Sequence, residues 1–472
     1  SVEAVKMNLD EHINPRYYSP ALHALSVSLG DDFDEDEELE KLAEMPGVKL
    51  LQPVGKLKTP KPTYSELQIN KVSASDYGPA YYQLDMLGIT KLNELGYMGK
   101  GVRIGLLDQG FKKELDAFKH ILDENRLVAE FDFVYGDSIT SDESDDGTYG
   151  LAQKHGTGTW SIIGAWEEGK YSGGAPKAEF ALAKTEDMRW ERPIEEDNYV
   201  AGIEFMVANN MDVVSVSLNY MDFDGLDFDY AFKHLDGQTT AAAKICNWAA
   251  DQGLIIVQSA GNEGRLGDRS IWTPADAPSV ITVGSVNEMR VLSAFSSRGP
   301  TADGRIKPDV VAQGEDVYMI NTDNTIRTGS GTSFATPLVA CGVALLKEIH
   351  PDWTVEELFS RFEEFSDREV KDQAYGWGIP DFYKIAIHSQ AEPMVSFKIY
   401  PNPTSNIVNL EGQSTSPGTI NMTLYNILGR RVLDDSAYSE TVEFKSSLKL
   451  KTLPSGIYFL QVGGQTSKLV KL

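Results

Sequence analysis

The stretch Gly329-Ser330-Gly331-Thr332-Ser333-Phe334-Ala335-Thr336-Pro337 puts one serine where a nucleophile could work. Small residues let a backbone come close to Ser333, and the apolar run Phe334 to Leu346 predicts a buried helix that starts there. A serine at a helix N-terminus sits among free backbone N–H groups and at the positive end of the helix dipole, and both favour a developing anion. Pro337 is expected near the first turn, where a helix accepts proline. The same residues also fit a plain serine N-cap on a core helix. The deciding question is whether a base is at hand, because a serine hydroxyl is a weak nucleophile until one group takes its proton and another orients that group.

Two upstream segments offer those partners. Val102-Arg103-Ile104-Gly105-Leu106-Leu107-Asp108-Gln109-Gly110 reads as a buried strand ending in a carboxylate and a turn, and His155-Gly156-Thr157-Gly158 opens a helix-like run, Trp160 to Trp166. Taken singly, Asp108 could be a strand-end turn residue and Asn262 a turn asparagine between glycines. His12, His23, His120, His234, His350 and His388 lack a setting like that of His155 and read as surface or packing residues.

The chain order is Asp108, His155, Ser333, and with the motifs around each the chain resembles the subtilases, the subtilisin-like serine peptidases. The resemblance covers roughly residues 78 to 388. It extends to Gln258-Ser259-Ala260-Gly261-Asn262-Glu263-Gly264, Phe295-Ser296-Ser297-Arg298-Gly299-Pro300, Lys307-Pro308-Asp309-Val310 and Tyr375-Gly376-Trp377-Gly378. It implies a three-layer α/β domain with a mostly parallel sheet. It implies that Ser333 attacks the scissile carbonyl, that His155 shuttles the proton, and that Asp108 fixes the imidazole tautomer. Asn262 would donate to the oxyanion together with the Ser333 N–H. Ser217, Leu218 and Asn219 on one side and Ser259, Ala260 and Gly261 on the other would frame the primary specificity pocket, the first group also pairing with the substrate backbone as an added strand. Three positions depart from the family pattern: Asn219 replaces a usual glycine and is expected to narrow the cleft, Gly158 replaces a second histidine, and Gln313 replaces a proline.

Composition suits that class. At 472 residues two or three domains are expected, and a 41% hydrophobic fraction supports real cores. There is no run of eighteen apolar residues, which predicts no membrane span. The net charge of -27 and pI of about 4.7 argue against nucleic acid as a partner and for an acidic, extracellular enzyme. The start at Ser1 suggests that a leader was removed.

Charge also marks a boundary. From Ala391 onward there are eight Lys/Arg against six Asp/Glu, so all the net negative charge lies earlier. After the turn-rich Tyr400-Pro401-Asn402-Pro403-Thr404-Ser405-Asn406, the alternating runs Ile407–Leu410, Asn421–Leu424, Val442–Phe444 and Ile457–Val462 predict a small β-sandwich. That opening, Leu424-Tyr425-Asn426-Ile427-Leu428-Gly429-Arg430, Leu453-Pro454-Ser455-Gly456-Ile457-Tyr458 and the Lys468 to Leu472 tail resemble the C-terminal sorting domain of the type IX secretion system of Gram-negative bacteria. The resemblance implies that this machinery is a partner and that the protein is secreted or held at the cell surface. A generic partner- or carbohydrate-binding β-module is the alternative.

At the other end, Leu25–Leu29 reads as a strand, Glu35–Met45 as an acidic helix and Val48–Leu51 as a second strand, a βαβ-like unit resembling part of a subtilase propeptide; a permanent extension is the alternative. Thr59-Pro60-Lys61-Pro62-Thr63 is the expected linker. The division is therefore 1–62 propeptide-like segment, 63–390 peptidase domain and 391–472 sorting domain.

Residues 137–146, Thr185-Glu186-Asp187 and Glu195-Glu196-Asp197-Asn198 are rich in oxygen ligands and make calcium possible, but none has a recognisable calcium spacing, so they read as solvated acidic loops and no cofactor is expected. Cys246 and Cys341 sit in apolar helix-like stretches and read as buried free thiols. The expected activity is peptide hydrolysis on protein or peptide substrates, rising with pH through the neutral region as the base loses its proton. A non-catalytic binding module on the same scaffold would have lost a triad member, and an acid peptidase of the sedolisin type would carry glutamate for His155; neither pattern is present.

Overall fold

The computed structural model describes residues 13–29, 48, 63–65, 76–142, 152–189, 192–222, 229–389, 396–413, 418–427, 431–439, 441, 443–462 and 465–472. They divide into two compact units, 1–384 and 385–472.

The first unit is built on seven strands in the order β12-β11-β10-β9-β4-β8-β5, all parallel. They are β4 (Arg103–Asp108), β5 (Leu127–Asp132), β8 (Glu179–Lys184), β9 (Val213–Val216), β10 (Ile255–Ser259), β11 (Ile281–Val286) and β12 (Val310–Gln313). Between β5 and β8 lies a short ribbon, β6 (Trp166–Glu167) with β7 (Tyr171–Ser172). Parallel strands covered on both faces read as continuous apolar runs, and β9, β10, β11 and β12 are buried at every position. One face is covered by α2 (Ile194–Ala208) and α3 (Ala241–Asp251), whose Met206, Ile245 and Cys246 share a core with Leu107, Val214 and Ile256. The other carries α1 (Ala152–Gly164) and α4 (Thr332–Ile349), which pack on each other, α1 against β4 and α4 against β9 to β12. By length and composition α4 could cross a membrane, but 89% of it is buried in this fold. This is the expected three-layer architecture.

The register brings the carboxyl ends of β4, β9 and β10 together: Leu107 lies opposite Val216, and Val216 opposite Gln258. In an open α/β sheet this is the edge where ligands bind.

A smaller sheet has the order β13-β14-β3, from β13 (Val317–Ile320), β14 (Ile326–Ser330) and β3 (Thr63–Ser65). β14 runs into Gly331 and α4. β3 joins it antiparallel, with Thr63 opposite Ser330.

Near the N-terminus, β1 (Ile13–Ser19) and β2 (Ala24–Leu29) form an antiparallel hairpin on α2. Ser19 Oγ and the Ala21 N–H donate to Glu204 Oε1 at 2.7 and 3.0 Å, and the Tyr17 hydroxyl donates to the other carboxylate oxygen. β2 matches the expected strand; β1, broken by a bulge between Pro15 and Tyr17, was not foreseen. The expected helix over 35–45, strand over 48–51 and linker over 59–63 lie outside the described residues, apart from Val48 and Thr63.

The second unit has two antiparallel sheets. One has the order β15-β16-β19, from β15 (Ser396–Tyr400), β16 (Ile407–Gln413) and β19 (Glu443–Lys449); the other is β18-β17-β20-β21, from β17 (Gly418–Asn426), β18 (Arg431–Ser439), β20 (Gly456–Val462) and β21 (Gln465–Lys471). Val408, Leu410, Met422, Leu424, Leu448, Leu460 and Leu469 from both sheets form one core, as the alternating runs predict.

Candidate active site

Asp108 is the last residue of β4. Its side chain falls on the face opposite that of Leu107, toward α1. It is 1% exposed, and its Oδ1 lies 2.7 Å from His155 Nδ1. The same oxygen accepts the Gln109 N–H at 2.8 Å, while Oδ2 accepts the Thr159 hydroxyl at 3.1 Å. A carboxylate with these donors is held in one orientation. An acceptor facing Nδ1 also places the imidazole proton there and leaves Nε2 with a free lone pair. His155 lies one turn inside α1 instead of opening the helix, and α1 ends at Gly164, with Trp166 in β6. Gly156 makes the approach possible: a Cβ there would fall 2.2 Å from the Gly110 carbonyl oxygen and 3.0 Å from Asp108 Cβ.

Ser333 is the second residue of α4 and is 5% exposed. The ring of the next residue, Phe334, lies 5.6 Å from the His155 ring, centroid to centroid, so the serine and histidine segments meet. Asn262, just past β10, accepts the Thr332 N–H at 2.9 Å and the Thr332 hydroxyl at 3.1 Å through Oδ1. This turns the Nδ2 donor away from Thr332. A Cβ built on Gly331 would stand 3.7 Å from Asn262 Nδ2 and 3.8 Å from the Ser333 nitrogen. The missing side chain of Gly331 therefore leaves a space that these two nitrogens share with Asn262 Oδ1, also 3.8 Å away.

Pro337 is the sixth residue of α4, beyond the first turn expected for it. Proline has no N–H for the carbonyl four residues earlier, which is that of Ser333. The Ser217 hydroxyl donates to that carbonyl at 2.9 Å instead.

Of the other proposed pocket residues, Leu218, Ser259, Ala260 and Gly261 are buried at the same strand ends. Asn219, expected to narrow the cleft, is 7% exposed and turned into the protein: its Nδ2 donates to the Ser259 carbonyl and its Oδ1 accepts the Ser259 hydroxyl, both at 2.9 Å. The side chain bolts the two segments together. At Gly158 a Cβ would meet Met319 Sδ at 2.5 Å, so methionine from β13 fills the room a larger residue would need.

The acidic segments differ from solvated loops. Glu195 and Glu196 lie in the first turn of α2 and are 2% and 4% exposed. Glu196 accepts the Tyr230 hydroxyl at 2.7 Å and the Ala242 N–H at 2.9 Å, and burial pushes its carboxyl up to about 7. Glu186 is buried against the Tyr220 hydroxyl at 2.7 Å. Asp142 is also buried, its Oδ1 accepting the Gln153 N–H at 2.7 Å; residues 143–146 lie outside the described ones. Among the described residues no group of three or more His, Cys, Asp or Glu could hold a metal. Cys246 and Cys341 are buried and free, and burial pushes both thiols up to about 12.

Sequence reasoning passed over Thr159, Thr332, Gly331 and the Asn219–Ser259 pair. Thr159 carried the one available signal, since it falls a single helical turn after His155 and on the same face.

Residues 99–378 match the Subtilase family and residues 398–472 the secretion system C-terminal sorting domain. Subtilisin E of Bacillus subtilis is 28% identical over 302 residues, which cover 63% of this chain and 69% of that protein. Serine protease AprX of the same species is 27% identical over 310 residues, covering 59% and 65%. Among solved structures, the Clostridium perfringens CspB protease superposes with a TM-score of 0.55 at 19% identity, covering 65% of this chain and 98% of that one. MycP1 from Mycobacterium smegmatis gives 0.52 at 20% identity, covering 71% and 90%. These two likenesses concern the fold. With the family match spanning more than half its length, the chain belongs to the subtilase family of serine peptidases and carries a C-terminal secretion sorting domain.

Proposed function

We propose that this protein is an exported serine endopeptidase that cleaves peptide bonds through an acyl-enzyme on Ser333. The observation that carries the reading is the buried 2.7 Å contact of His155 Nδ1 with Asp108 Oδ1, which leaves Nε2 as the base. In this reading Nε2 takes the Ser333 hydroxyl proton as the oxygen attacks the scissile carbonyl carbon, and Asp108 stabilises the imidazolium that forms. The carbonyl oxygen becomes an oxyanion between Asn262 Nδ2 and the Ser333 N–H. His155 then protonates the leaving amine, and water repeats the sequence to release the acid. Ser217 to Asn219 and Ser259 to Gly261 hold the acyl half of the substrate. No cofactor takes part, so dialysis against a chelator should leave hydrolysis intact.

Labelling with a fluorophosphonate tests the assignment. Wild-type protein should react at one serine, and Ser333→Ala should lose both labelling and hydrolysis while keeping its thermal unfolding transition. Full labelling of Ser333→Ala would sink it.

Residues 391–472 serve in this reading as the address read by the type IX machinery of a Gram-negative bacterium, and residues 1–62 as a propeptide that covers the cleft until it is removed. Intact mass from the native medium should show a species that begins between about Pro60 and Tyr81 and ends near residue 390. A fully active species with both ends attached would make them permanent parts of the enzyme.

A further inference from the structure

Two residues of α1 reach the same carboxylate. His155 Nδ1 lies 2.7 Å from Asp108 Oδ1, and one helical turn later the Thr159 hydroxyl donates to Oδ2 at 3.1 Å. Thr159 is 1% exposed, and among the described residues it is the only donor to that oxygen. Four residues of helix set the two side chains about 6 Å apart along the axis and on one face. Gln109, next to Asp108 in the chain, gives the carboxylate its backbone N–H, at 2.8 Å from Oδ1. The Thr159 hydroxyl also has a commoner use open to it. It stands 3.0 Å from the Gly156 carbonyl, three residues back, in the bond that serine and threonine make inside many helices. Ser161 on the same helix shows that use, donating to the Gly158 carbonyl at 2.7 Å and accepting the Ile320 N–H at 2.9 Å. Thr159 has one proton for two acceptors, and a buried carboxylate is a stronger acceptor than a carbonyl.

The His155–Asp108 bond cannot serve as its own reference, because imidazole and carboxylate can turn together and keep it. The Thr159 bond is independent of the imidazole and ties the carboxylate to the helix that carries it, so β4 and α1 hold the pair as one body. We propose that Thr159 is a positioning residue of the triad, which keeps Nε2 aimed at Ser333 by fixing the Asp108 carboxylate through Oδ2. The proposal rests on the peptidase reading above. Without the hydroxyl, Oδ2 becomes a buried acceptor with no donor, and turning the carboxylate toward another donor spoils its alignment with Nδ1. Lost aim slows the step in which Nε2 takes the serine proton and leaves substrate binding as it was.

Thr159→Val keeps the shape of the side chain and removes the hydroxyl, while Thr159→Ser keeps the hydroxyl and removes the methyl. Each is made as the full chain and assayed on an internally quenched peptide, with active enzyme counted by fluorophosphonate uptake. Thr159→Val should lower kcat about ten- to a hundredfold with KM within about twofold of the wild type, and Thr159→Ser should recover most of the loss. In proton NMR the far-downfield signal of the Nδ1–Oδ1 bond should be sharp in the wild type and Thr159→Ser and broadened or absent in Thr159→Val. A Thr159→Val protein with wild-type kcat overturns the inference and leaves the hydroxyl an ordinary helix bond. An equal loss in Thr159→Ser also overturns it, because the effect then belongs to packing. If Thr159→Val does not fold, Thr159→Ala takes its place, and failure of both to fold makes the hydroxyl a structural group. A wild type that cleaves nothing and takes up no fluorophosphonate overturns the peptidase reading, and this inference with it.

Discussion

The hydroxyl of Ser217 donates to the carbonyl of Ser333 at 2.9 Å, in the place where Pro337 cannot supply a helical N–H. One bond thus joins the end of β9 to the proposed nucleophile. Ser217→Ala should strand a buried carbonyl and cost about 1–3 kcal/mol of unfolding free energy. Pro337→Ala restores the missing N–H, so Ser217→Ala should cost less in that background. A double-mutant cycle by urea unfolding reads the coupling directly, and a coupling of zero would show that the hydroxyl does not stand in for the helix.

Gly156 and Gly158 occupy the same helix but should respond differently to alanine. At Gly156 the new methyl meets backbone 2.2 Å away, beside Asp108. Gly156→Ala should destabilise the protein by about 1–3 kcal/mol and reduce activity further by moving His155. At Gly158 the obstacle is the thioether of Met319, which can turn aside, and alanine gains about 1 kcal/mol of helix propensity. Gly158→Ala should fold and hydrolyse peptides much like the wild type. Thermal melts and kcat/KM on the pair settle the contrast.

Glu196 makes stability depend on pH. Burial pushes its folded-state carboxyl from 4.5 up to about 7, so the folded state keeps a proton that the unfolded chain has already released. The penalty is absent below about pH 4, grows as pH rises to about 7, and then levels off. In glutamine the amide oxygen can accept the Ala242 N–H while the amide nitrogen donates to the Tyr230 hydroxyl, with no charge. Glu196→Gln should exceed the wild type in stability by on the order of 3 kcal/mol at pH 8 and by much less at pH 5. Equal differences at the two pH values would remove the carboxylate as the cause.

Asn262→Ala should lower kcat by about 10²–10³ with little change in KM, a range measured on subtilisin itself. Asn262→Asp keeps an acceptor for Thr332 but sets a negative oxygen against the developing anion, so it should be at least as slow. Steady-state kinetics on both variants separates a lost donor from a displaced loop.

The parts legible in the sequence were those carried by short segments. Val213 to Val216 is apolar enough to declare a buried strand, the Asp108, His155 and Ser333 motifs each contain their own turn chemistry, and the alternating runs after residue 407 announce a sandwich. What stayed hidden depends on partners far along the chain. The inward turn of Asn219 requires Ser259, the vacancy at Gly158 is filled by Met319, and the carbonyl left by Pro337 is met by Ser217. Glu196 looked like a solvent-facing acid because nothing nearby in sequence announces Tyr230 or Ala242 as donors. Hairpin β1–β2 was half missed because Pro15 and the adjacent bulge break the alternation.

The docking of that hairpin on Glu204 has a statistical side. While the chain is continuous, Tyr17, Ser19 and Ala21 meet the carboxylate at an effective concentration of about a millimolar, set by the tether and unaffected by dilution. A single cut between residues 30 and 62 leaves the bonds to Glu204 as they are, yet it turns the same docking into an encounter between two molecules. From then on occupancy follows the concentration of the freed piece, so an enzyme released into a large volume sheds its hairpin while one confined to a crowded compartment retains it. The hairpin thereby makes the volume into which the protein is delivered a variable that its own fold can read.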